Sequence, residues 1–232
     1  MNIIECMNLT KHYNLNGLTV EAIRGLDFSV GGQEFVALAG PSGSGKTTLL
    51  NIIGGLDNPS SGTIHVAGED LTAMNAAELS RLRLHKIGFV FQAYNLIPVL
   101  TALENVEYVL LMQGVEKSER LRRSRTILEE VGLEKEMHRF PREMSGGQQQ
   151  RVAVARAIVS EPAIILADEP TANLDQKTGK SLLDLMHQLN RKKNITFLFS
   201  THDPMVMERA DRLIQLADGR IENPHPNEQA WN

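Results

Sequence analysis

The chain has 232 residues, a formal net charge of −4 and 42% hydrophobic residues. That is enough apolar material for one large domain, or one domain with a smaller lobe, and too much for a disordered chain. The mildly acidic balance argues against a dedicated nucleic-acid binder, which carries a clear basic excess. No run approaches the ~20 apolar residues that span a bilayer, and the first residues lack the basic and apolar regions of a signal peptide. The single cysteine, Cys6, leaves no internal disulfide framework, fits a reducing compartment and reads as a buried strand residue. These features predict a cytoplasmic chain.

Short apolar runs alternate with amphipathic helical segments, the pattern of an α/β protein with a largely parallel sheet. Strand-like runs cover residues 3–9, 19–30 and 34–39. The last, through Phe35-Val-Ala-Leu-Ala39, reads as fully buried and runs into a glycine-rich turn and a helix beginning near Lys46. From about Thr101 to Glu161 strand signals vanish and charged helical periodicity takes over. Ile127, Leu128 and Val131 make an apolar stripe there, and Gly132 is placed to end that helix. This stretch reads as a helical lobe inserted into the α/β core. Residues 163–167 form another buried strand, and the next helix shows an apolar face at Leu182, Leu185, Met186 and Leu189. A further strand covers 195–200, and the chain closes on an extended tail, 223–232.

The strongest chemical signal is Gly40-Pro-Ser-Gly-Ser-Gly45-Lys46-Thr47, a full match to the phosphate-binding loop G-x-x-x-x-G-K-[ST]. Backbone N–H groups must converge on phosphate oxygens, so residues stay small where the chain curls. The helix that follows adds its positive dipole end. Gly40, Pro41, Ser42, Gly43, Ser44, Gly45 and Thr48 are therefore candidate nucleotide contacts. Lys46 is placed to reach the β- and γ-phosphates and Thr47 to ligate Mg²⁺. A glycine-rich turn without a ligand is the competing reading, and the strand before and helix after it speak against that. Downstream, Ile164-Ile-Leu-Ala-Asp168-Glu169 ends a buried strand in an acidic pair, at the sheet edge where α/β proteins bind ligands. Asp168 is the candidate to hold Mg²⁺ through water and Glu169 to polarise the attacking water. In Met144-Ser145-Gly146-Gly147-Gln148, Ser145 is a good N-cap with Gln148 at its third helical position, a capping box. Its two glycines would let a phosphate approach bare N–H groups. On that segment alone, an ordinary capped helix is an equal reading.

Together these segments resemble the ATP-binding subunits of ABC transporters, with Met144 where leucine is usual. The remaining motifs follow in order. Tyr13 resembles the aromatic that stacks on adenine, and Gln92 in Phe89-Val-Phe-Gln92 resembles the glutamine that senses Mg²⁺ and touches the membrane partner. Leu174-Asp175 resembles the loop linking two ATP sites, and His202 in Ser200-Thr-His-Asp203 the histidine that contacts the γ-phosphate. The resemblance covers roughly residues 1–222. It implies an ATP-binding core with an antiparallel β subdomain (1–100 and 162–222) and a helical signature subdomain (101–161). It also implies ATP and Mg²⁺ as ligands, catalysis by Glu169, His202, Lys46 and Gln92, and a head-to-tail dimer in which Ser145 to Gln148 of one copy cap the other's ATP.

Residues 92–106 resemble most closely the macrolide-exporter and lipoprotein-releasing subfamily, as do Ala167-Asp-Glu-Pro-Thr-Ala-Asn-Leu-Asp175 and Gly147-Gln-Gln-Gln-Arg-Val-Ala-Val154. The implied partner is an integral-membrane permease with few transmembrane helices, driven from the cytoplasmic face of the membrane. Two readings stand for Leu96, Ile97, Val99 and Leu100: the floor of a groove for a partner helix, or filling between core and helical lobe. The arginines at 120, 122, 123 and 125 suit anionic lipid, but the interleaved glutamates fit a solvated helix face better. The runner-up function is a soluble ABC ATPase acting on nucleic acid or ribosomes. Ribosome-acting members carry two heads and a charged linker, DNA-acting ones a long coiled coil, and neither feature is present.

Overall fold

A computed structural model of the chain describes residues 1–15 and 18–223; beyond Asn223, the expected tail lies outside them. Strands β1 (Asn2–Leu15) and β2 (Leu18–Gly31) form a long antiparallel pair. β1 runs six residues past the strand legible in the sequence, because Thr10 to Leu15 carry little apolar alternation, and β2 matches its expected run to within one residue at each end. Next come β3 (Phe35–Ala39), α1 (Lys46–Ile53), β4 (Ser61–Val66), β5 (Glu69–Asp70), α2 (Ala76–Lys86) and β6 (Ile87–Val90). The charged stretch supplies α3 (Ala102–Met112), α4 (Lys117–Glu130) and α5 (Gly146–Ile158). The chain then runs through β7 (Ile164–Asp168), α6 (Gln176–Lys193), β8 (Thr196–Thr201), α7 (Pro204–Arg209), β9 (Arg212–Ala217) and β10 (Arg220–Asn223).

Two sheets result. One is antiparallel with order β2-β1-β4-β5, and the other has order β10-β9-β3-β8-β7-β6 and is parallel except for β10. β3 is buried at every position, as a strand covered on both faces must be. On one face, Leu38, Leu166 and Leu198 join α1 and the antiparallel sheet through Leu49, Ile52, Ile4 and Ile64. On the other, Phe35, Phe197, Phe199 and Ile165 share a core with Val106 of α3, Leu128 of α4, Val152 of α5 and Met186 of α6. The helices of 101–161 therefore complete the core of the parallel sheet.

Local chemistry sets the helix ends. Thr101 with Glu104 makes a capping box that starts α3. Gly132, at φ 72°, takes the left-handed position just past α4, and its N–H donates to Glu129 O at 2.9 Å. On α6, Leu182, Met186 and Leu189 are buried as expected, with Leu183 taking the place that the periodicity gave to half-buried Leu185. Asn190 is fully buried and donates to Ile195 O at 2.7 Å and Gln33 O at 2.9 Å, tying α6 to both neighbouring turns. Three of the four arginines of α4 are bonded within the chain: Arg120 pairs with Glu107 at 2.9 Å, Arg122 with Glu119 at 2.7 Å, and Arg123 donates to Val159 O at 2.6 Å.

Helix α5 presses directly on the sheet at Gly88 on β6, where a Cβ would lie 2.4 Å from the Ala157 carbonyl oxygen. Gly88→Ala should cost about 1–3 kcal/mol through this backbone clash, read as a lower urea midpoint with an unchanged slope.

Candidate active site

The C-terminal ends of β3, β7 and β8 lie side by side, and each delivers one part of the site. From β3 the chain enters the phosphate loop, which is pressed on two sides by backbone. A Cβ on Gly40 would sit 2.0 Å from Leu216 O of β9, and one on Gly45 would sit 2.5 Å from Ala22 O of β2. Gly43 and Gly45 have φ of 79° and 102°, which other residues adopt only under strain. Gly45 is the N-cap of α1 and makes no side-chain cap, so the first N–H groups of that helix point to the loop. Lys46 is buried and its Nζ donates to the carbonyls of Gly40 and Pro41, both at 2.8 Å, which holds the ammonium against the loop. The Ser44 hydroxyl is buried and, among the described residues, has no hydrogen-bond partner.

From β7 come Asp168 and Glu169. Thr47 Oγ1 lies 3.3 and 3.4 Å from the two oxygens of Asp168, which also accepts a hydrogen bond from Ser200 of β8. A hydroxyl and a carboxylate so placed form the hard-oxygen set that Mg²⁺ takes beside a phosphate loop, where phosphates and water supply the other ligands. Glu169 stands at φ 45°, an unusual conformation for a non-glycine residue, and its N–H is held by Ser200 O at 3.1 Å. Its carboxylate meets His202 Nδ1 at 2.6 Å and the Thr201 hydroxyl at 3.4 Å. With Glu169 ionised, Nδ1 must carry the proton, so His202 presents an unprotonated Nε2 when neutral. His202 stays 69% exposed while Glu169 is only 15% exposed: the acid is shielded and the imidazole faces outward.

A cleft of about 590 Å³ gathers Pro41, Ser42, Gly43, Gly45, Lys46, Thr47 and Thr48 with Gln92, Glu169 and His202, walled by Val20, Glu21 and Ala22 of β2. Gly40, Ser44 and Asp168 do not line it: Gly40 lines an adjoining hollow with Pro41 and His202, Ser44 is buried, and Asp168 meets the lining Thr47. Tyr13 sits on β1 opposite Val20. Ser200 and Thr201 were not singled out from sequence; hydroxyls flanking a strand-end histidine were the available signal.

Ser145, Gly146, Gly147, Gln148 and Asp175 do not line this cleft. Ser145 caps α5 as expected: its Oγ accepts from Gln148 N at 3.3 Å, and Gln148 Oε1 accepts from Ser145 N at 2.9 Å. The glycines are also demanded by packing, since a Cβ on Gly146 would lie 2.8 Å from the Tyr94 hydroxyl and one on Gly147 2.5 Å from the Thr178 methyl. Asp175 caps α6 and accepts from Thr178 Oγ1 at 2.6 Å, a bond that holds its carboxyl below the usual range.

A second concavity, of about 470 Å³, is lined by Leu56, Arg83, Leu84, Ile87, Phe89, Phe91, Val109, Met112 and Arg156, with Asn95 at its rim. Leu96, Ile97, Val99 and Leu100 do not line it. Leu96 packs on the core, Asn105 fastens the carbonyls of Ile97 and Leu100 at 3.1 and 3.0 Å, and Val99 points out, 76% exposed. Filling of the joint is thus the better reading for Leu96.

The family model described as ABC transporter matches residues 23–172. A lipoprotein-releasing system ATP-binding protein, LolD, of Geobacter metallireducens is 43% identical over 220 residues, covering 95% of this chain and 98% of that protein. The macrolide export ATP-binding/permease protein MacB of Shigella flexneri is 42% identical over 219 residues, 94% of this chain and 34% of that longer protein. A solved dimeric ATP-binding cassette, in a post-hydrolysis state with ADP and Pi, superposes with a TM-score of 0.88 at 41% identity, covering 96% of this chain and 98% of that one. The chain belongs to the ABC transporter family and is its ATP-hydrolysing type of subunit. Among the described residues, no helix is long and apolar enough to cross a membrane.

Gly40→Ala and Gly43→Ala separate the two demands on the loop. The first places a methyl into a backbone oxygen and should abolish ATP hydrolysis and lower Tm by several degrees. The second has open space and should cost only the left-handed strain, about 1–2 kcal/mol. Thermal melts beside a phosphate-release assay give both readouts.

Proposed function

We propose that this chain drives a permease of the lipoprotein-releasing or drug- and peptide-exporting kind by closing, with ATP, onto a second copy of itself. The observation that carries this reading is the single cleft joining Lys46, Thr47, Gln92, Glu169 and His202, from which the capped start of α5 is excluded. An ATP site so built is complete only when another surface supplies Ser145, Gly146, Gly147 and Gln148, and a head-to-tail dimer does so, with Asp175 near the junction. The dimeric state of the solved relative supports such an assembly.

In this reading Tyr13 stacks on the adenine, the loop N–H groups and Lys46 hold the phosphates, and Thr47, Asp168 and Gln92 hold Mg²⁺. When bound, that ion neutralises charge developing on the phosphate oxygens. Glu169 orients the attacking water and takes its proton, being shielded enough to stay close and fixed by His202. His202 faces the γ-phosphate with its outer nitrogen, which donates to a phosphate oxygen when it carries a proton, that is, in the imidazolium held at Nδ1 by Glu169. Because the nucleotide binds both copies, it shifts the open–closed equilibrium by its differential affinity, and hydrolysis removes the bridge. The division into a core (1–100, 162–222) and a helical lobe (101–161) is then one of task, since both share a hydrophobic core.

The permease docks in the groove between Leu56, Phe89 and Met112, where Leu56 and Met112 are half exposed with Tyr108 and Leu111 nearby in the sequence. The subunit thereby sits on the cytoplasmic face of the membrane as a peripheral protein.

Glu169→Gln should lower kcat by about 10²- to 10⁴-fold and run as a dimer in light-scattering chromatography at saturating Mg-ATP. A protein that stays monomeric would refute closure by ATP alone. Tagged Glu169→Gln, recovered from gently solubilised membranes with Mg-ATP, should bring down a permease with few transmembrane helices and a large outer domain. Recovery of soluble or ribosomal proteins without one would refute the assignment.

A further inference from the structure

The base end of the nucleotide site has a support that the family motifs do not include. Tyr13 OH donates to Asp57 Oδ2 at 2.7 Å, and Asp57 Oδ1 accepts from Lys11 Nζ at 2.6 Å. Lys11 Nζ also reaches Asn58 O at 2.7 Å and lies 4.8 Å from the centre of the Tyr13 ring, over its face. Lys11 is the better buried of the charged pair, 11% exposed against 31% for Asp57, so this is a partly desolvated cluster and not a mobile surface contact. Burial pushes the Tyr13 hydroxyl upward and Asp57 adds to that shift. Burial alone would raise Asp57 too, but the hydrogen bonds from Lys11 and Tyr13 outweigh it and leave that carboxyl lowered.

Asp57 is attached to the phosphate loop by a short path. It lies in the turn that ends α1, where its own N–H donates to Asn51 O at 3.2 Å and that of Leu56 donates to the same oxygen at 2.8 Å. One eight-residue helix thus begins at the phosphate loop, and the turn that follows it carries the carboxylate that grips the tyrosine. A ring held at its hydroxyl, with an ammonium over one face, has only the other face to offer a base.

We propose that Asp57 and Lys11 are positioning residues for nucleotide selection: through Tyr13 they set the orientation of the base platform and, through α1, its distance from the phosphate loop. This rests on the reading that Tyr13 stacks on the base. A tether of this kind acts on the base and leaves the phosphate contacts untouched, and that separates it from a general role in folding.

The test compares two probes, ATP and inorganic tripolyphosphate, by titration calorimetry on the full chain. Tyr13→Phe keeps the ring and deletes the tether, Asp57→Ala deletes the anchor, and Tyr13→Ala deletes the platform. Tyr13→Phe and Asp57→Ala should each weaken ATP about five- to tenfold, the scale of one ordinary hydrogen bond. Tripolyphosphate binding should move by less than about twofold. The double variant Tyr13→Phe/Asp57→Ala should lose less affinity for ATP than the two single losses multiplied, because the Tyr13–Asp57 bond is common to both, while Tyr13→Phe also gives up a hydrogen bond with Thr48. If Tyr13→Ala weakens ATP while Tyr13→Phe and Asp57→Ala do not, the tether is refuted and stacking stands. If Tyr13→Ala binds ATP normally, stacking itself fails and the tether with it. Equal loss of both probes in Asp57→Ala and Tyr13→Phe would reduce the cluster to a structural support and also overturn the proposal.

Discussion

The constraint on which the structure depends is the absence of two side chains. At Gly40 and Gly45 the phosphate loop passes so close to the carbonyls of Leu216 and Ala22 that no Cβ fits. Those carbonyls belong to different sheets, β9 of the parallel one and β2 of the antiparallel one. The loop is therefore the point where both sheets meet, and its shape follows from their mutual position. Gly219 reinforces the junction: its N–H donates to Ser44 O at 3.1 Å and its carbonyl accepts from Arg24 N at 2.9 Å. A loop held this way binds phosphate without having to reorganise, which is how preorganised N–H groups gain their effect.

The catalytic edge uses a second form of the same principle. Glu169 is kept in a left-handed backbone conformation by hydrogen bonding to β8, and its carboxylate is held by two side chains of the β8 end. Local strain of this kind costs of order 1–3 kcal/mol and persists only where the surroundings over-determine it. Here the surroundings are the parallel registry of β7 with β8, which sets Asp168 opposite Ser200. The ladder that stabilises the sheet also spaces the acid, the hydroxyl and the imidazole.

How much of this was legible in the residues depended on the range of the interactions. The phosphate loop, the capping box at Ser145, the helix stop at Gly132 and most of the α6 face are local patterns, and each is read from a few neighbouring positions. The far half of β1 was missed because Thr10 to Leu15 carry few apolar residues, whereas β2 was read to within one residue at each end. The contacts of Gly146 with Tyr94, of Gly147 with Thr178, and of Tyr13 with Asp57 join residues 31 to 52 positions apart. No spacing rule reports those. The same limit explains the groove: Leu96 to Leu100 looked suitable by hydrophobicity, but the concavity is assembled from Leu56, Phe89 and Met112, which are distant in sequence.

That groove has one more property. Ile87, Gly88 and Phe89, which line it, belong to β6, the outermost strand of the parallel sheet on that side. Sheet margins invite pairing with other chains, and proteins guard them by keeping them short or covering them. β6 has four residues, and next to it lie the half-exposed Leu56 and Met112. The surface proposed for the permease is thus also a margin open to unspecific self-association. If the proposed partner docks there, the colloidal solubility of the free subunit and the occupancy of that partner become, at this margin, the same variable.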